Sequence, residues 1–316
     1  MRHTDESYAL MLLTLPMSAS GSETPRPLDG EEAGRVAAQL SLAGNRGLDS
    51  LMGLDVPGVM RALDTSEDAA YRICLLLDRD MQLGRLIEEC EGEDVQIVTP
   101  LDAAYPALIS RRLGQYMSPA LFARGSLSLA QGDSIGILGV SGVKTDERAA
   151  KGVRALCLNA AANGFGLVTC EEPGVCRLAL KSALELGGRL ICPLAGGLHG
   201  FGAQHARALE EGSMLLLSRV HPRHEALPAD ERERTGLMLA LSRAAFIVTT
   251  DGKRGEIELA KKANCGYVYV YDDDAYPQNR SLLGRDFVPV DELGYFDIAT
   301  NAPLWTQPEV QQLSFL

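Results

Sequence analysis

The sequence predicts an α/β chain: a doubly wound, Rossmann-like parallel sheet preceded by a small helical domain. Three observations lead there. Residues 1–94 carry apolar residues at helical spacing. From about Val95, short β-rich runs alternate with helical runs. Those β-rich runs are apolar almost throughout instead of in every second position, the mark of parallel strands covered on both faces.

Taken in order, "GEEAGRVAAQLSLAG" (30–44) predicts a helix closed by a glycine, after a Ser/Pro/Gly-rich loop between Ser18 and Asp29. Residues 66–90 predict one helix, with Ser66 and Asp68 in its first turn and Tyr71, Leu75, Leu83, Leu86 and Ile87 on one stripe. Strands are expected at 95–100, 134–140, 166–170, 189–195, 213–220, 244–250 and 267–272. Helices are expected between them at 147–164, 174–188, 202–212, 231–244 and 254–266. Beyond 272 the alternation stops and Pro277, Pro289, Pro303 and Pro308 intervene, which predicts packed turns and then a tail. The expected division is 1–94 helical, 95–290 Rossmann-like and 291–316 tail.

Composition narrows the function. The apolar run Tyr8–Pro16 is too short to span a bilayer, and Asp5 and Glu6 stand where a signal peptide carries positive charge, so a cytoplasmic protein with no membrane contact is expected. The seven cysteines form no Cys-x-x-Cys pair, which predicts reduced core residues and neither a disulfide framework nor a zinc site. His221 and His224, in "HPRHE", are a weak metal pattern, and no metal or other cofactor is expected. A formal net charge of −12 excludes a general phosphate-backbone binder with a basic face. Contact with nucleic acid then has to use a local basic pocket.

In a doubly wound sheet, ligands bind where strands end and loops feed helices. The first such loop is "GVSGVKTDERAAKG" (139–152). Gly139, Ser141 and Gly142 let backbone N–H groups approach an anion, Lys144 adds charge, and Thr145 is the expected helix N-cap. A P-loop needs glycine directly before Lys-Thr, and Val143 stands there. The sharper reading is an anion pocket; a strand–helix turn with glycines for packing is the plainer one. Arg232 and Arg234 open a later helix, and Gly252, Lys253 and Arg254 follow another strand. The topology should bring all three loops to one rim. No catalytic residue is assigned. Cys170, Glu171 and Glu172 end a strand where catalytic groups often sit, though acids there also serve as helix N-terminal charges.

Residues 101–129 resemble the stretch that introduces the Rossmann domain of the DNA-processing protein A (DprA/Smf) family. Tyr105-Pro106-Ala107-Leu108 and the run from Pro119 to Gly125 stand in the places of its Tyr-Pro-x-x-Leu and Pro-x-Leu-Tyr-x-x-Gly. The similarity continues through 183–198, 210–222, 237–250 and 251–263. The resemblance implies a non-enzymatic, homodimeric single-stranded DNA binder that hands DNA to the RecA recombinase. The pocket motifs are rewritten. The family's Gly-Ser-Arg is Gly139-Val140-Ser141, its Arg-Asn-Arg is Arg234-Thr235-Gly236, and its Ser-Gly-Ser is Asp251-Gly252-Lys253. Its Ser-Gly-x-Ala-x-Gly-Ile-Asp is replaced by Thr169–Cys176, which sets Glu171 and Glu172 close to where phosphates would pass.

The leading expectation is therefore a divergent member acting on or near single-stranded DNA through a reduced basic pocket and protein partners. One alternative is an antitoxin or regulator that neutralises a partner toxin in a phage-defence gene pair. A second is a hydrolase of nucleotide phosphoribosyl bonds using Glu171 or Glu172 as acid/base. The last five residues resemble the peptide that binds the bacterial sliding clamp, with Gln312 at a pocket mouth and Leu313, Phe315 and Leu316 as apolar anchors. The other reading folds these residues back onto the protein's own body.

Overall fold

The computed structural model describes residues 3–293 except 21–22, 45, 114–118, 202, 253–254 and 285–286. Lys253, Arg254 and the expected tail ligand, Gln312, Leu313, Phe315 and Leu316, lie outside the described residues.

The chain opens with α1 (Asp5–Thr14), α2 (Gly30–Leu42), α3 (Val56–Leu63), α4 (Glu67–Leu77) and α5 (Asp80–Gly92). The sheet elements follow as β1 (Gln96–Val98), α6 (Ala107–Leu113), β2 (Leu121–Gly125), β3 (Ser134–Leu138), α7 (Glu147–Ala162), β4 (Gly166–Val168) and α8 (Val175–Glu185). The remainder are β5 (Leu190–Pro193), α9 (Ala206–Glu210), β6 (Met214–Ser218), α10 (Pro228–Leu241), β7 (Ala244–Ile247), α11 (Glu256–Lys262), β8 (Tyr267–Tyr271) and β9 (Val288–Val290). Among the described residues no helix is long and apolar enough to cross a membrane.

Among the described residues nine strands form one sheet in the order β1-β2-β6-β5-β4-β3-β7-β8-β9. From β6 to β9 every pair is parallel. The chain winds outward from β3 through β4, β5 and β6, then returns to place β7 on the other side of β3. Strand order thus reverses at β3, and α7 and α8 pack on one face while α10 and α11 pack on the other. Burial follows the pleat: Ile135 and Ile137 join the first core, and Leu138 the second.

The sheet departs from the all-parallel expectation at one edge. β1 pairs antiparallel with β2, and β2 pairs antiparallel with β6. β2 has no counterpart among the expected strands. Gly125 ends it at φ +98, where an added Cβ would lie 2.2 Å from the Met214 carbonyl oxygen, so only glycine fits.

The helix expected over 66–90 is two helices. Arg79 breaks it by turning inward: Nη1 donates to Glu23 at 2.9 Å, Nε to the Leu76 carbonyl, and Nη2 to the carbonyls of Leu12 and Leu15. The guanidinium thereby satisfies carbonyls left over at the ends of α1 and α4. The break also resets the stripe. α4 buries Ala70, Ile73 and Leu76, while Tyr71 and Leu75 face solvent. α1 is apolar all round and fully enclosed from Ala9 to Leu13. Ala9, Leu10 and Leu13 pack into the helical core, and Met11, Leu12 and Leu15 into the sheet core.

Candidate nucleic-acid interface

The carboxyl ends of β3, β4 and β7 meet at the point where strand order reverses, and a hollow lies there. Gly139, directly after β3, packs against the loop after β7. A Cβ on it would lie 2.8 Å from Thr249 Oγ1 and from Val175 Cβ. The next N–H, of Val140, donates to Thr249 Oγ1 at 3.1 Å. The first turn of this loop therefore spends its backbone donor internally. The loop beyond is open: Ser141, Gly142 and Lys144 are exposed, and Gly142 holds φ +84. The expected N-cap is displaced by one residue. Asp146, not Thr145, caps α7 by accepting from the Ala149 N–H at 2.7 Å, because its carboxylate suits a helix N-terminus better than a hydroxyl. Thr145 Oγ1 is buried with no hydrogen-bond partner.

The arginines do not present a basic face. Arg234, on α10, is 7% exposed and donates from Nη2 to Glu172 Oε2 at 2.7 Å. Its Nε is buried and has no hydrogen-bond partner. Glu172 comes from the segment after β4, so the pair closes the hollow from both sides. What remains has about 10 Å³ for the centre of a water molecule, room for roughly one water. Arg232 lies at the surface and pairs with Glu258 at 2.6 Å. Glu256, at the start of α11, is buried beside the hollow and accepts from the Thr250 hydroxyl. That hydroxyl in turn accepts the Gly252 N–H at 2.9 Å, at a residue with φ +70.

The loops after β3 and β7 and the start of α10 do converge. Lys144 and Arg232 are exposed, Arg232 is offset by an acid, and Arg234 is enclosed. Two thiols, Cys170 and Cys176, also face the hollow. Hydrogen bonding with Cys176, together with burial, pushes the Cys170 thiol well above its ordinary range, so it is held protonated. Glu171, beside Glu172, is bound by His205 Nε2 and by Gln204 Nε2 at 3.1 Å. His224 is held by Ala19 and Asp230, and no metal-ligating group of three acids, histidines or cysteines occurs among the described residues.

Two supporting residues lie in the segment beyond 272, where the sequence predicts packed turns. Asn279 is fully buried. Its Nδ2 donates to the Val248 and Tyr271 carbonyls, and its Oδ1 accepts the Thr250 N–H at 3.1 Å. Tyr276 holds the β3–α7 loop, its hydroxyl accepting the Asp146 N–H at 2.9 Å and reaching the Lys144 carbonyl at 3.4 Å. A buried asparagine has no periodic signature, and its only trace in the sequence is its place shortly after a strand.

The model of the family described as DNA recombination-mediator protein A matches residues 96–281. No curated protein matches the chain. Among solved structures, DNA processing protein A (DprA) from Streptococcus pneumoniae aligns at 17% identity over 93% of this chain and 96% of its own, with a TM-score of 0.60. DNA processing protein A from Helicobacter pylori, described as having a unique single-stranded DNA binding mode, aligns at 18% identity over 63% of this chain and 92% of its own, with a TM-score of 0.51. At these identities the likeness shows a shared fold.

Proposed function

Because this chain belongs to the DNA recombination-mediator protein A family, we propose that it is a non-enzymatic binder of single-stranded DNA whose contact is reduced to the rim after β3 and β7. The observation that carries this reading is the β3–α7 loop. It is held from below by Tyr276 and exposes Ser141, Gly142 and Lys144 at the edge where the strand order reverses. Backbone N–H groups and one ammonium can take a phosphate there without base-specific contacts. The net charge of −12 and the pairing of Arg232 and Arg234 with acids make that contact weak and strongly salt-dependent. A protonated Cys170 and a Glu171 tied to His205 support a binding role over a nucleophilic one.

The test is fluorescence anisotropy of a labelled oligodeoxythymidylate across a salt series. Binding at low salt that fades as salt rises is expected. No binding by the intact protein at any salt would remove single-stranded DNA as its ligand.

A further inference from the structure

Among the described residues Arg234 is the buried cation at the hollow, and it is not fully used. It is 7% exposed, Nη2 donates to Glu172, and the buried Nε donates to nothing. A buried donor without an acceptor is costly and uncommon. The guanidinium fork presents two adjacent edges suited to an anion with several oxygens, and phosphate has that shape. A single carboxylate already stands on one edge. Glu172 reaches it from the segment after β4 and is itself mostly enclosed, its side chain 10% exposed. The space left takes about one water, so no phosphate enters while Glu172 is in place.

We propose that Glu172 sets what this pocket accepts: its carboxylate is a built-in stand-in for a phosphodiester, holding Arg234 and keeping the strand's phosphate at the Lys144 loop outside. The inference rests on the single-stranded DNA reading above. It makes Glu172 a specificity-determining residue that acts by charge and by volume. Removing the side chain leaves Arg234 buried with neither its counter-ion nor the atoms that filled the hollow. An inorganic phosphate or a strand phosphate then meets a cation, an unused Nε donor and space to stand in. Chloride supplies charge without oxygens placed for the fork, so the two anions should differ.

The experiment compares the intact protein with Glu172→Ala and the double variant Glu172→Ala/Arg234→Met. Thermal melting is followed in inorganic phosphate and in sodium chloride at equal ionic strength, and oligodeoxythymidylate binding by anisotropy. The wild-type protein should melt alike in both salts. Glu172→Ala should gain stability in phosphate in a saturable way, and bind the oligonucleotide about tenfold more tightly, with a salt slope steeper by roughly one contact. The double variant should lose both gains. A Glu172→Ala protein that responds to phosphate no more than to chloride overturns the inference, whatever it does with DNA. A phosphate response without oligonucleotide binding by any variant keeps the Glu172 assignment and removes the DNA reading instead. Should the alanine variant not fold in either salt, Glu172→Ser, which also drops the charge and frees the volume but keeps a small polar group, is measured the same way. A phosphate response above chloride then supports the proposal, and its absence overturns it.

Discussion

Two buried arginines meet α10, one at its C-terminal end and one near its middle, and the two are used differently. At the C-terminal end, Arg112 of α6 points Nη1 at the carbonyls of Leu239, Ala240 and Ser242, the closest at 2.5 Å. Its charge meets the negative end of the helix and the carbonyls that helix leaves unpaired. Burial pulls its pKa down. Near the middle, Arg234 meets a carboxylate from another strand end, beside a hollow, with Nε left over. Arg112 answers a need of the backbone that any such helix end has. Arg234 answers no backbone need, and its partner comes from the side chains that rewrite this chain's pocket. The first is a device of the fold, and the second belongs to the site.

The largest effect should come from splitting the second pair. Arg234→Met takes the guanidinium away from the enclosed Glu172 carboxylate and should cost about 3–5 kcal/mol of stability, measured by denaturant titration. Glu172→Met/Arg234→Met removes both charges and should recover most of that loss, because apolar replacement of a buried pair is often close to neutral. If the double variant is as unstable as the single one, the pair holds the fold together and does not belong to the site.

Arg112→Met should cost on the order of 2–3 kcal/mol through unsatisfied carbonyls, and no second substitution can repair it because the acceptors are backbone. Oligonucleotide affinity should not change. A loss of DNA binding in a folded Arg112→Met protein would erase the distinction between the two arginines.

The same contrast explains what the sequence made legible. The parallel strands β3 to β8 were visible because each is an apolar run bounded by turns and helical periods, and burial on both faces demands that composition. β2 was hidden: "LFARG" is short and runs into a charge and a glycine. The break at Arg79 was hidden because arginine is a good helix former, and only the carbonyls of α1, far off in sequence, draw it inward. The glycine-rich loop and Arg234 were readable as candidates, but not their state. Whether Arg234 is free or enclosed depends on Glu172, 62 positions away and on another strand end. The sequence marked Glu172 as an acid near the phosphate path, and only the packing makes it the partner.

At the rim, outside both pairs, Lys144→Ala should leave stability within about 0.5 kcal/mol of wild type, since the side chain is exposed. It should flatten the salt dependence of oligonucleotide binding by roughly one contact. Unchanged salt dependence would place the DNA contact elsewhere than the β3–α7 loop.

The smallest expected effect is a pH dependence at the segment leading into α10, where a third cation forms only on protonation. His224 Nδ1 lies 2.9 Å from the Ala19 carbonyl and Nε2 lies 2.9 Å from Asp230 Oδ2. Both contacts need a donor, and only the imidazolium donates from both nitrogens. Burial pulls the His224 pKa down, but the Ala19 carbonyl and the Asp230 carboxylate outweigh it and raise the value above the ordinary 6.5. A raised folded pKa gives stability that is complete below the unfolded value, near 6.5, and is lost as pH climbs through the folded one. Nearby His221 works in the opposite direction. Burial lowers its pKa, and its Nδ1 accepts the Arg223 N–H, so it favours the neutral form. The whole protein's pH profile therefore mixes the two. The informative quantity is the melting difference between wild type and His224→Gln, which should be greatest near pH 6 and shrink by about pH 8.5. A difference that stays constant with pH would mean that His224 is held by packing alone. Protonation would then have no part in joining Ala19 to α10.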